Sequence, residues 1–365
     1  MNYPLETPWV DRPDLAGKPP ADRIEGRAEA GLRTPNLGFL PFPASGRTNV
    51  IGEILHRKAY ALRRASAIAG VDVGLTSRLS TSLQYELEVD RIERTDAVGF
   101  LTQADLERLR FDEGITTLHA VRPSVTIDHR DNSAHPHSGW FATGALEYAR
   151  SLGAEHEGPD DRALFGLLPA SGIHTNMLKL SAATSGYLPV GTGTVVALSL
   201  RGGRVFPLDA TSTTIVPKRF FLGGALSMRG YGEEEMIPED VRSDLAAEAR
   251  HCATSPTQVG CTDRGHRITG GDRPVSEGGE AFLLAKGELR VPLRRSLEAG
   301  LFVDLGNLWL DPLRFRLVDL RANAGFGLRF VTPIGPAALD LGFNLNPDGD
   351  VNERVFAPHF TIGLF

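Results

Sequence analysis

Three groups of residues have the types that chemistry requires. Asp128, Arg130 and Asp131 bring two carboxylates and a guanidinium together, as general acid–base work would need. Glu86 and Glu88 form a second carboxylate pair, and His135 and His137 flank Pro136 as two imidazoles that a metal could use. Each group also has a plainer reading. Side chains two apart on a strand share a face, so Glu86 and Glu88 are not a facing dyad. Asp128, Arg130 and Asp131 read as a charge ladder near a strand end. His135 and His137 read as part of a turn, with no metal expected. Neither a Gly-x-Ser-x-Gly elbow nor a phosphate loop occurs, so no catalytic constellation, no cofactor and no enzymatic activity are expected.

Cys252 and Cys261 lie in a polar stretch with no CxxC pairing. A local disulfide closing a loop in an oxidising compartment is the expectation, and two unrelated thiols are the alternative.

The elements that position these residues follow from composition and pattern. The chain has 365 residues, 41% hydrophobic, with a net charge of −6 and no basic stripe, which argues against a nucleic-acid partner. No run of about 18 apolar, uncharged residues occurs, which excludes membrane-spanning helices. Those averages suit a water-soluble protein, and equally a barrel whose polar lumen alternates with a lipid-facing surface. The 40 glycines favour an all-β chain rich in turns.

Period-2 alternation is the dominant signal. In 79–92, Thr81, Leu83, Tyr85, Leu87 and Val89 oppose Ser82, Gln84, Glu86, Glu88 and Asp90. Before it, Ala65, Ala67, Ala69, Val71 and Val73 oppose Ser66, Gly70 and Asp72. Towards the carboxyl end, Leu283, Ala285, Leu289 and Val291 oppose Lys286, Glu288 and Arg290, and Ala299, Leu301, Val303 and Leu305 oppose Glu298 and Asp304. Ala324, Phe326 and Leu328 then oppose Asn323 and Arg329, and Leu339, Leu341 and Phe343 oppose Asp340 and Asn344. Further strands fit 25–34, 48–58, 115–130, 139–152, 174–190 and 193–207. The count is about thirteen, and the even-number preference of bacterial barrels makes fourteen the working figure. Connections alternate between tight, as at Gly191-Thr192-Gly193, and long, as at 96–114, 155–173 and 208–280. A soluble β-sandwich is the alternative, but its strands average about 5–6 residues and these run longer. The expectation is a transmembrane antiparallel β-barrel over 25–365, a non-barrel segment over 1–24, and a long plug-like loop over 208–280. The amino end lacks a charged region followed by an apolar one, so no signal peptide is read, and a truncated start is favoured.

The stretch 218–231, KRFFLGGALSMRGY, resembles the sixth-loop signature of the BamA/TamA outer-membrane protein assembly superfamily, also called the bacterial surface antigen family. Gly223 and Gly224 follow aromatic residues, and Arg229, Gly230 and Tyr231 complete the signature. TIDHRDNSAHPHSGW (126–140), GELRVPL (287–293), LFVDLGNLW (301–309) and GLRFVTPIGPAALDLGFNLNP (327–347) are similar to further family segments in order. The resemblance covers roughly 25–365 of the sequence, and the two loop cysteines fit it. It implies about fourteen of sixteen barrel strands, with GRAEAGLRTPNLG (26–38) similar to the family's third strand and the amino-terminal client-capturing repeats absent.

It also implies a loop folded into the lumen, where Arg229 pairs with Asp304 and Glu288 and Tyr231 packs against the interior. The physics agrees: an arginine fork bridges carboxylates, and Gly230 permits a sharp turn close to the wall. Phe360, Ile362, Gly363 and Phe365 resemble the terminal signal for barrel insertion, although Phe365 breaks parity with Phe360 and Ile362. The implied function is insertion or translocation of other proteins at the bacterial outer membrane through a lateral gate. The implied partners are outer-membrane lipids, lipopolysaccharide, unfolded barrel clients, and accessory lipoproteins or a periplasm-spanning protein. The rivals are a two-partner secretion transporter, a porin or surface adhesin, and an organellar relative.

Overall fold

The computed structural model describes residues 25–38, 42–57, 60–94, 113–152, 162–163, 168–169, 173–255, 276–294, 296–332 and 335–362. Its main body is one antiparallel sheet of thirteen strands in which every strand pairs with its neighbours in chain order. They are β1 Gly26–Thr34, β2 Ala44–His56, β3 Tyr60–Gly74, β4 Leu79–Arg94, β5 Gly114–Asp128, β6 Gly139–Ser151 and β7 Asn176–Pro189. The rest are β8 Val195–Pro207, β9 Ala281–Arg294, β10 Leu297–Trp309, β11 Arg321–Thr332, β12 Gly335–Asn344 and β13 Phe356–Ile362. Thirteen is the number that alternation alone gives. The even-number argument for fourteen adds a strand that the described residues do not contain.

Alternation decides which side chains face out. On β10, Leu301 is 58% exposed while Asp304 is fully buried, and the same contrast separates exposed Phe326 from buried Asn323 on β11. Apolar residues therefore cover the outer surface and polar ones line the interior, as a lipid-facing barrel requires. The strands are long, up to 16 residues in β4, against the roughly 9–11 that a tilted membrane span needs. The sheet curls far enough for its two halves to share one interior, because one loop touches β4 and β6 on one side and β9, β10 and β12 on the other.

Connections sort onto two rims. Among the described connections, one rim carries 75–78, 129–138 and 190–194, and the other carries 173–175, 208–255, 276–280, 310–320 and 345–355. Among the described residues no ladder joins β1 to β13. Most of β1 is exposed on both faces, as expected of an edge strand.

The lumen is not polar throughout. At the long-loop rim, inward-facing Tyr60, Leu62, Ile92 and Leu118 pack with Ile173, Ile215 and Val216. A second cluster joins Leu222, Met228, Tyr231 and Met236 of the long loop to Leu284 and Leu308 of the wall. These inward apolar side chains are covered by the loop and so do not meet water.

Candidate functional site: the loop anchored in the lumen

The 208–280 loop enters the barrel through a short 3-10 turn, Val216–Lys218, then doubles back through the Gly-Gly and Arg-Gly-Tyr segments. Gly223 and Gly224 both have positive φ, 113° and 96°, a backbone that side chains disfavour. The Ser227 hydroxyl closes this turn, accepting from the Gly223 N–H and donating to the Gly223 carbonyl, both at 2.8 Å.

The turn delivers Arg229 to the carboxylates of β9 and β10. Its Nε and Nη2 donate to Asp304 at 2.9 and 2.7 Å, its backbone N–H donates to the same carboxylate at 3.1 Å, and Nη1 donates to Glu288 at 2.8 Å. The guanidinium also lies flat over the Phe302 ring, 3.4 Å from its centroid. Asp340 on β12 is 3.7 Å away. Arg290 and Arg329 donate to Glu288 as well, and Arg329 pairs with Asp340. Charges this deeply buried persist only because each is matched.

Small residues let the loop backbone approach the wall. A Cβ at Gly230 would lie 2.6 Å from the Asn323 side chain and 2.9 Å from the Asn344 nitrogen. Tyr231 follows, 2% exposed within the second apolar cluster. His359 on β13 places Nε2 3.0 Å from the Arg229 carbonyl oxygen and donates to it in the Nε2–H tautomer.

A second anchor escaped the sequence reading. Lys218 is buried and pairs with Glu88 at 2.5 Å and Glu147 at 3.0 Å on the opposite wall. Around it, Arg64 holds Asp90 at 2.7 Å and Arg122 holds Glu147 at 2.9 Å. Glu88 thus belongs to an ion network, and Glu86 joins it through Arg122 at 3.4 Å. Lys218 stands at the edge of the signature, but its partners lie far away in sequence and no local pattern announces them.

Past the signature, helix α1 (Glu239–Thr254) lies across the long-loop rim. Its first-turn carboxylates face the end of β10: Asn307 donates to Glu239 at 2.8 Å, and the N–H groups of Leu310 and Asp311 donate to Asp240. Cys252, buried near the helix end, is disulfide-bonded, and Cys261 lies outside the described residues.

The other expected residues serve locally. Asp128 and Arg130 pair at 2.8 Å on the short-turn rim, with Arg130 over the Phe141 ring. Asp131 does not extend a ladder; it accepts backbone N–H groups from Asn132, His137 and Ser138 within the turn. Phe360 is exposed on the outward face and Ile362 pairs with Ala337, whereas Gly363 and Phe365 lie outside the described residues.

Beyond β8, Asp209 secures the start of the loop. His174 and Asn176 hydrogen-bond its carboxylate at 3.0 and 2.9 Å and hold it down at about 2.

Comparison with known proteins agrees with this fold. Residues 48–365 match the Omp85 superfamily domain. The chain is 24% identical over 299 residues to the outer membrane protein assembly factor BamA of Neorickettsia risticii (strain Illinois), covering 78% of this chain and 32% of that protein. It therefore spans about a third of the length of that curated relative. The crystal structure of BamA from Haemophilus ducreyi lacking POTRA domains 1–3 is similar, with a TM-score of 0.65 at 15% identity over 94% of this chain and 62% of that one. CdiB from Escherichia coli aligns with a TM-score of 0.47 at 14% identity, over 93% of this chain and 52% of that one. The ordered strands are those of a bacterial outer-membrane β-barrel with the BamA fold, and the chain belongs to the Omp85 superfamily.

Proposed function

We propose that this barrel inserts other proteins into the outer membrane, or passes them across it, by offering its sheet edges to client strands. The observation that carries this reading is the outer edge of β13, the last described strand, which pairs with β12 alone among the described residues. An unpaired edge presents N–H and C=O groups that template an incoming strand, and strand addition needs neither nucleotide nor cofactor. The anchored loop supports the same reading. Through His359 it is tied to the last strand, so movement at the edge and movement of the loop are coupled. The proposed clients are unfolded outer-membrane proteins, reached from a bilayer of outer-membrane lipid and lipopolysaccharide, with accessory lipoproteins or a periplasm-spanning protein as helpers.

The test is reconstitution into lipid vesicles, with the folding rate of an added unfolded barrel client as the readout. Photo-crosslinkers at Leu32 of β1 and Phe360 of β13 report edge contact in the same samples. Faster client folding together with crosslinks at either edge supports the reading. Unchanged client folding with large, steady conductance would sink it in favour of a porin. Export of one dedicated substrate, with no effect on other clients, would favour a secretion transporter.

A further inference from the structure

The short-turn mouth of the barrel holds three metal-ligating side chains that sequence distance had kept apart. The 129–138 turn between β5 and β6 folds inward, bringing His135 and His137 to Glu298 at the start of β10. His135 and Glu298 are 163 positions apart, yet His135 Nε2 lies 3.2 Å from Glu298 Oε2. The two imidazoles meet edge to face with centroids 4.6 Å apart. One ligand atom from each of the three residues falls within 4.8 Å of the others.

We propose that His135, His137 and Glu298 bind a divalent transition-metal ion, Zn2+ in chemical class, which clasps the 129–138 turn to the opposite wall. Two imidazole nitrogens and one carboxylate oxygen form a donor set that suits Zn2+, and three protein ligands leave a fourth position for water. With metal–ligand bonds of about 2.0–2.2 Å, a tetrahedral site needs its donors roughly 3.3 Å apart. The His135–Glu298 pair already has that spacing, and side-chain rotation of exposed His137 supplies the remainder.

The surroundings favour this assignment. Asp131 Oδ1 accepts the N–H groups of Asn132, His137 and Ser138, which fixes the turn, while Oδ2 lies 4.0 Å from His137 Nδ1. A carboxylate behind a ligating imidazole is the usual means of orienting it. Asn132 Oδ1 accepts the N–H groups of Ala134 and His135, holding the first imidazole in place. Arg290, the cation on the adjoining strand, hydrogen-bonds Glu288 at 3.0 Å and also acts on Glu298 through space, which keeps that carboxylate ionised. Between β6 and β10 lie β7, β8 and β9, so the clasp spans a chord of the mouth, where a local turn alone makes no such link.

The test uses the tag-free chain refolded in detergent micelles, with Co2+ as a spectroscopic probe and Zn2+ as competitor. The intact barrel is expected to develop the visible absorption of tetrahedral Co2+ at one equivalent and to lose it to Zn2+. His135→Ala with His137→Ala should abolish the band, and Glu298→Gln should weaken binding about tenfold or more. His251→Ala, on the exposed face of α1, should leave it unchanged. Heat-modifiable migration establishes that each variant is folded. Zn2+ should also raise the unfolding temperature of the intact barrel, with EDTA reversing the gain. An equal Co2+ band in the double histidine variant, or no band in the intact chain, would overturn the site. Binding without any thermal gain would overturn the clasp.

Discussion

The carbonyl oxygen of Arg229 occupies the space where a side chain at position 342 would begin. A Cβ on Gly342 would overlap that oxygen and stand 3.0 Å from the Gly230 nitrogen. The loop thus docks backbone-first against β12, and Gly342 is as much a part of the site as the charges are. Gly342→Ala should destabilise the barrel by about 1–3 kcal/mol, the usual cost of overpacking. Gly52→Ala on β2 is the control, since a Cβ there meets nothing within 4 Å. Equal unfolding temperatures for the two variants in heat-modifiable migration would contradict the close docking.

Removing Arg229 leaves Asp304 buried without its fork. Arg229→Ala should cost about 3–5 kcal/mol in urea unfolding. Arg229→Lys should recover only part of this, because an ammonium cannot make the bidentate contact or lie flat on Phe302. A lysine variant as stable as the parent would show that charge alone matters.

Lys218 and Arg229 hold the same loop to opposite walls and share no carboxylate. Lys218→Ala and Arg229→Ala should therefore add to within about 0.5 kcal/mol in a double-mutant cycle. A coupling above about 1 kcal/mol would mean that the loop docks as one unit and leaves as one unit.

The lipid-facing surface makes its own demand. Phe326, outward near the middle of β11 and 54% exposed, should not tolerate a charge. Phe326→Arg is expected to cost about 2–4 kcal/mol in a bilayer. On a water-facing sheet the same change would be nearly neutral.

Acid should loosen the start of the loop. The Asp209 carboxyl is depressed to about 2 by its hydrogen bonds with His174 and Asn176. A depressed acid contributes its stability above its unfolded value and loses it as pH falls through the folded one, here between about pH 4 and pH 2. The Thr213 amide, which donates to the His174 carbonyl at 2.9 Å, should exchange faster across that window. Asp209→Asn should flatten the dependence, and an unchanged profile in that variant would refute the assignment.

What the sequence revealed, and what it hid, follows from the reach of each signal. Alternation is a local property, so outward Leu301 and inward Asp304 were readable from β10 alone. Glu288, Asp304 and Arg229 could be joined because the loop signature gave Arg229 a destination. Lys218 had no such guide, and neither did the approach of His135 to Glu298, which depends on how far the sheet curls. Tyr60, Leu62, Ile92 and Leu118 share parity with polar neighbours, so the rule of a polar lumen hides the apolar core beneath the loop. The opening of α1, Pro238 followed by Glu239 and Asp240, did carry a local helix-start signal of proline and first-turn acids.

The two anchors differ in when their partners exist. Glu88 and Glu147 precede Lys218 in the chain, whereas Glu288, Asp304, Asp340 and His359 all follow Arg229. A chain emerging from its amino end can seat Lys218 as soon as the first half of the wall is present. Arg229 must wait until the last strands arrive, and the final contact comes from β13 itself. The loop is thus clamped between two parts of the chain, one anchor depending on strands that precede it and the other on strands that follow it.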